Sequence, residues 1–411
     1  MLNLNPKITR KINIKYSLVH SAYWMVFGAT YNFVTVYLLS KNFSSQNIGI
    51  IMALTNIFSA ILQPYVAGIA DRTTKFSIRS LASILLFTSL SLSILLLIAP
   101  KTMLITALLY FLILTVMLTT QPLLNAMGMG LIGHGIPLNF GLARGMGSIS
   151  YAFMSYVLGA AVDQQGASVL PYAFIALFGL SFFFTFTFTI PKILSEEIDA
   201  NVISEKDKDQ EEETRSHLST LGFMKTYKKF NVYLLGIIFI FICFNIINIY
   251  MIKIVQNVGG NEATMGTAFA IAAVLELPVL LSFSKLSRKF QVGNLLKISG
   301  LFFTIKALLT FIAPNIFMVY VAQGVQSVSY AIFIPGSIYY VNQVIHKKDL
   351  VKGQAFTTAA MTLGGVGGSL IGGFLLTQSN LNTMLMTGTL ISVIGSILFL
   401  VSIESRKPSI G

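Results

Sequence analysis

Long apolar runs alternate with short polar stretches along nearly the whole chain, and the runs are too uniformly apolar to be the one-sided surface helices of a soluble domain. Segments 16–39, 47–70, 80–99, 103–126, 142–164, 168–190, 230–255, 264–285, 294–313, 315–343, 354–377 and 382–403 each reach the roughly 20 residues that carry a helix across a bilayer core. Twelve spans are therefore predicted. The first is too long for the core of a signal peptide and lacks a small-residue cleavage site behind it, so it reads as a retained helix. The longest polar stretch, 191–229, holds nine of the 15 acidic residues and divides the spans six and six. Its composition predicts a solvated linker. The expectation is an all-α integral membrane protein with a six-helix bundle over 1–190, a cytoplasmic linker over 191–229 and a second six-helix bundle over 230–411.

Composition agrees with this pattern. Only 10% of residues are charged and 55% are hydrophobic, whereas a soluble domain carries roughly 25% charged residues. A net charge of +13 raises the question of an anionic partner, but nucleic-acid binding needs a basic patch on a soluble module, and none is predicted. Twenty-three of the 28 Lys and Arg residues fall on the side of the N-terminus, against Lys41 and Lys101 on the other. This is the asymmetry that sets orientation, and it predicts a cell-membrane protein with both termini cytoplasmic. Cys243 is the only cysteine, so no intrachain disulfide or cysteine metal site can form. His20, His134, His217 and His346 are dispersed. No metal, no cofactor and no enzymatic cluster of nucleophile and base is expected.

The two halves carry matching landmarks. Pro64 corresponds to Pro278 at an offset of 214, Pro122 to Pro335 at 213, and the GLAR of residues 141–144 to the GQAF of residues 353–356 at 212. Three landmarks in register predict a duplicated six-helix unit, which is the parallel repeat of major facilitator superfamily transporters.

The segment Gly68 to Arg79, GIADRTTKFSIR, is similar to the loop between helices 2 and 3 of that superfamily, with Gly68, Asp71, Arg72 and Arg79 holding the pattern and Thr74 standing where glycine is usual. Gly68 is expected to permit close helix approach, and Asp71 to form an ion pair or cap that breaks as the halves rock. Within the superfamily the chain resembles the oligosaccharide:proton symporters, the lactose permease-like family. The likeness rests on VFGATYNFVTVYL in helix 1, GIIMALTNIFSAILQPYVAGIAD in helix 2, NFGLARGMGSISY into helix 5 and LELP in helix 8. It implies a sugar-binding role for Arg144, a ring-stacking role for Tyr151, and places in the coupling cluster for Glu276 and Lys306. The chain departs from that family where Asn125 replaces a helix 4 carboxylate, where Asn245 and Asn248 replace two helix 7 aspartates, and where Ser327, Tyr330 and Phe333 replace the polar residues of helix 10.

Four charges remain at membrane depth: Arg144, Lys253, Glu276 and Lys306. A charge there costs several kcal/mol unless it faces a cavity or a partner, so these are functional candidates. Lys253 is near a helix end and can snorkel. Glu276 is the one carboxylate within the membrane, because Asp163 and Glu262 lie toward the outer surface; it is the expected proton carrier, with a fixed ion pair to Lys306 as the structural alternative. Neutral amides and an aromatic face suit sugar hydroxyls and the C–H side of a ring. The substrate-site candidates are Arg144, Asn125, Tyr151, Asn245, Asn248 and Gln326, with Glu276 and Lys306 for ion coupling. The run GGVGGSLIGG, Gly364 to Gly373, lacks the strand and Lys-Ser/Thr of a phosphate loop and reads as helix packing. The expected function is a monomeric secondary transporter that imports a sugar or glycoside with protons. A drug or metabolite exporter of the same superfamily is the first alternative, although helix 5 lacks the Gly-Pro motif of many antiporters; a non-transporting nutrient sensor is the second.

Overall fold

Helix is the only regular secondary structure among the described residues, as the lipid interior requires, because a helix satisfies its backbone hydrogen bonds within one segment. The computed structural model describes residues 6–72, 77–100, 102–133, 135–189 and 219–404, the side chains of 70–72 excepted. The first group of helices comprises α1 (Pro6–Thr30), α2 (Val34–Ser40), α3 (Ser45–Arg72), α4 (Ile78–Ile98), α5 (Met103–Gly133), α6 (Phe140–Gln165) and α7 (Leu170–Phe186). A short α8 (Thr220–Thr226) precedes the second group. That group comprises α9 (Lys228–Ile249), α10 (Met251–Asn257), α11 (Glu262–Lys289), α12 (Val292–Phe311), α13 (Ile316–Gly324), α14 (Gln326–Val344), α15 (Leu350–Gln378) and α16 (Leu381–Ser402).

Among the described residues, eleven segments are long and apolar enough to cross a membrane. The first expected span is instead divided between α1 and α2 by a turn at 31–33, and α1 begins with Lys7, Arg10, Lys11 and Lys15. The span predicted over 230–255 is divided in the same way, α9 giving way to α10 at Tyr250. The four prolines that marked the repeat all lie inside helices: Pro64 in α3, Pro122 in α5, Pro278 in α11 and Pro335 in α14. Large apolar side chains such as Leu104, Ile98 and Phe317 face outward; on a water-soluble surface so much exposed apolar area would drive association, whereas lipid accepts it.

Within the first group α1 packs on α6 and α7, and α4 on α5 and α7; within the second, α9 packs on α15 and α16, and α12 on α14 and α16. The two groups meet along α3 with α15 and along α6 with α11. At the end opposite the chain termini this contact is backbone to backbone. A Cβ on Gly266 would stand 2.2 Å from the Ser155 carbonyl oxygen, one on Gly159 2.7 Å from that of Glu262, and one on Gly49 2.3 Å from that of Ser369. Small residues therefore seal this end. The glycine run also serves α9, since Gly364 and Gly368 press on the carbonyls of Ile238 and Ile242.

Helix breaks meet at the same closed end. The Thr35 hydroxyl on α2 donates to the Ile249 carbonyl at the end of α9. The Tyr250 hydroxyl donates to the carbonyl of Ser369 at 2.8 Å, and Gln46 N donates to Thr377 Oγ1 at 3.0 Å. Thr35, Gln46 and Tyr250 thus tie the two groups together at this end. At the terminal end the glycines do not seal the groups in this way. A Cβ on Gly68, Gly130 or Gly145 would meet no described atom within 4 Å. Arg79 instead braces the first group, its Nη1 donating to the Phe188 carbonyl at 3.0 Å. The Asp71 and Arg72 side chains and residues 191–218 of the expected linker lie outside the described residues. The end of that linker is helical: Ser219 caps α8, and Phe223 is buried against Phe230 and Phe356.

Candidate functional site

Pro278 sits two residues after Glu276 on α11, and Gln326 opens α14 directly after the break at Val325. This break brings Gln326 between the buried charges. Gln326 Nε2 donates to Glu276 Oε1 at 2.6 Å, and Lys306 Nζ donates to Gln326 Oε1. One neutral amide therefore presents its N–H to the carboxylate and its oxygen to the ammonium. Glu276 is 9% exposed and Lys306 1%, so both charges depend on this bridge in a medium where an unpaired charge is costly. Among the described residues no ion pair within 4 Å joins Glu276 to Lys306 or to Arg144; the direct pair held as the structural alternative is replaced by the amide link. Lys306 Nζ also lies 5.2 Å from the Phe244 ring centroid, and Phe244 stacks on Tyr330 with centroids 5.1 Å apart and planes 3° from parallel. An aromatic face attracts an ammonium, and here it adds to the amide's acceptor.

The first group handles its cation differently. Asn139 caps α6, accepting from Leu142 N at 2.9 Å, while its own N–H donates to Asn13 Oδ1 of α1 at 2.7 Å. This ties the start of α6 to α1 and sets Arg144 one turn inside. The guanidinium carbon lies 4.0 Å from the Trp24 ring centroid, and Nη1 donates to Ser148 Oγ at 2.6 Å. Gly147 makes the stack possible, because a Cβ there would stand 2.5 Å from Trp24 Cδ1. Arg144 thus spends a ring face and one side-chain bond on the protein, leaving other donors of its fork unspent. Its field reaches Glu276 and Tyr330 in the second group.

Tyr151 follows Arg144 by two turns of α6 and accepts from Asn32 Nδ2 at 2.8 Å. Its ring is 6.2 Å from Phe27, which stacks on Tyr31 at 4.9 Å and 12°. Asn245 and Asn248 each donate Nδ2 to a carbonyl of their own helix, Phe241 and Phe244, at 2.9 Å, leaving their oxygens as acceptors. Asn125 is half-buried on α5 and is not bonded to Arg144, whose bond goes to Ser148. The arrangement brings Arg144 and Tyr151 into electrostatic reach of Glu276, with Lys306 and Gln326 directly linked to it. Gly68 and Arg79 lie apart from this cluster, at the terminal end.

Sequence reasoning missed Trp24, Ser148 and Phe244. A signal for the first existed: Trp24, Phe27 and Tyr31 recur at intervals of three and four, a helical spacing along α1 and into the turn that follows it. No signal distinguished Phe244 among the chain's 32 phenylalanines.

Comparison with known proteins bears on the family and the fold. Maltose permease of Geobacillus stearothermophilus is 23% identical over 410 residues, covering 96% of this chain and 95% of that protein. The uncharacterized transporter YwbF of Bacillus subtilis (strain 168) is 22% identical over 277 residues, covering 66% and 64%. Among solved structures, the nucleoside transporter NupG superposes with a TM-score of 0.77 at 13% identity, covering 96% of this chain and 100% of that one. A D-xylose-proton symporter superposes at 0.66 with 13% identity, covering 97% of each chain. These structural likenesses speak to the fold. The sequence model of the MFS_1 like family matches residues 13–386, nearly the whole helical region, and the chain accordingly belongs to that family, one of membrane transporters rather than enzymes.

Proposed function

We propose that this protein imports a neutral sugar or glycoside together with protons, by alternating access of two six-helix units, 1–190 and 230–411, acting as a monomer in the cell membrane. The bias of basic residues toward the terminal end supports cytoplasmic termini. On that orientation the arrangement described here is open to the cytoplasm and closed to the outside. The observation that carries the reading is the pairing across the two groups of an arginine with a free fork and a carboxylate held by a neutral amide. Sugar hydroxyls both donate and accept, so they can take the Arg144 donors and compete for the amide of Gln326 and the oxygens of Asn245 and Asn248. Loss of the Gln326 contact leaves Glu276 to take up a proton, which removes its charge before the unit moves. Maltose permease, similar over nearly the full length, favours a sugar over other cargo.

Uptake of a panel of radiolabelled mono-, di- and trisaccharides into proteoliposomes, with and without an imposed pH gradient, tests this. Saturable uptake of at least one sugar, raised by an inward proton gradient, is expected. Uptake of none, together with pH-driven efflux of dyes, would reverse the assignment in favour of an exporter.

A further inference from the structure

The closed end contains a feature that the central cluster does not use. A hollow of about 400 Å³ lies between the two helix groups, above the crossing of α6 with α11. One wall is α2 and the end of α6, with Ser40 and Asp163; the other is α10 and the start of α11, with Lys253, Gln256 and Glu262. Sharp turns build both walls. Gly166 ends α6 at φ +78 and Gly259 turns α10 toward α11 at φ +81, left-handed positions that glycine adopts without strain. Asn261 then caps α11 in a reciprocal box with Thr264, which holds Glu262 at a fixed helix start.

The lining is chemically mixed. Lys253 and Gln256 donate, Asp163 and Glu262 accept, and Ser40 does both, while Val36, Leu39, Val162 and Ile252 supply an apolar face. Among the described residues, none of the three charged groups is spent in an ion pair. Two carboxylates against one ammonium disfavour an anion. Ligand pockets run from about 300 to 1,000 Å³, so the hollow admits a small molecule. Alternating donors and acceptors beside an apolar wall match a neutral polyhydroxylated ring.

We propose that this hollow is a second, weaker site for the same class of neutral sugar, and that filling it holds the closed end shut. The inference rests on the sugar reading above. Because the lining comes from both groups, the site exists only while they touch. A ligand bound to one conformation favours it by the factor 1 + [L]/Kd, about tenfold at ten times the dissociation constant. High external sugar therefore opposes the opening that import requires.

The test uses the full-length protein and a radiolabelled sugar that it takes up. Equilibrium dialysis of the purified protein is expected to find two molecules bound per chain at saturation, falling to one in the double variant Lys253→Met, Glu262→Gln and in Ala167→Trp, which fills the hollow without removing a polar group. In proteoliposomes sorted for outward-facing hollows, wild-type uptake should pass through a maximum and fall about twofold or more at high external sugar, whereas the variants should reach a plateau. One molecule per chain in the wild type, or two in both variants, would overturn the second site while leaving sugar transport intact. No binding of any sugar would remove the transport reading along with it.

Discussion

Arg144 and Lys306 are both cations at membrane depth, yet the two halves of the protein treat them in opposite ways. Lys306 is enclosed, its ammonium bonded to Gln326 and set against Phe244, with Glu276 at the far side of the amide. Arg144 lies on the Trp24 face and bonds Ser148, but among the described residues no carboxylate neutralises it by contact. The difference follows from the groups themselves. An ammonium is compact and strongly hydrated, so burial demands acceptors; a guanidinium is planar and weakly hydrated, so an aromatic face satisfies one side and leaves its donors aimed outward. The second group holds a charge system that is balanced until something breaks it. The first holds an unsatisfied one, which the proposed sugar would complete.

The sharpest way to break this comparison is Glu276→Gln. If the second group is the coupling unit, proton-driven accumulation falls by about 5–150-fold, the usual size of a coupling between two sites, while sugar exchange without a gradient persists. Undiminished accumulation would take Glu276 out of the coupling role. Next comes Arg144→Lys, which keeps the charge and loses the stack and the fork. Sugar affinity is expected to weaken about tenfold to a hundredfold, the worth of a hydrogen bond to a charged group. Binding equal to the wild type in a titration would mean that charge alone matters there.

Gln326→Leu separates the amide from the charges it joins. Leaving Glu276 and Lys306 without their shared partner should cost about 1–3 kcal/mol of stability, read as a lower midpoint of thermal unfolding in detergent. A midpoint unchanged from wild type would show that the bridge is not a supporting contact. The smallest expected effect is that of Gly147→Ala, whose new methyl must displace Trp24. A cost of about 1 kcal/mol from overpacking should accompany weaker sugar binding and altered Trp24 fluorescence. A variant with native fluorescence and affinity would show that the stack does not depend on that glycine.

Much of this was legible beforehand because each signal was a rarity against its background. A carboxylate at 276 or an arginine at 144 stands out in an apolar helix, and prolines at matching offsets stand out in any helix. Gln326 was legible only as one amide among several, since its importance comes from the break after Val325 that turns it between α11 and α12. Gly68 fitted a motif and was expected at a close contact, but a Cβ there meets no described atom within 4 Å.

What the sequence determined by itself was the lipid-spanning plan: apolar length sets the helices, because lipid offers no partner for an open backbone, and basic asymmetry points to one orientation. Which end is sealed, which cation is enclosed and which is left open were decided only by tertiary structure. Those outcomes depend on distances between helices, and residues far apart in the chain, such as Gly159 and Gly266 or Trp24 and Gly147, set those distances by fitting against one another.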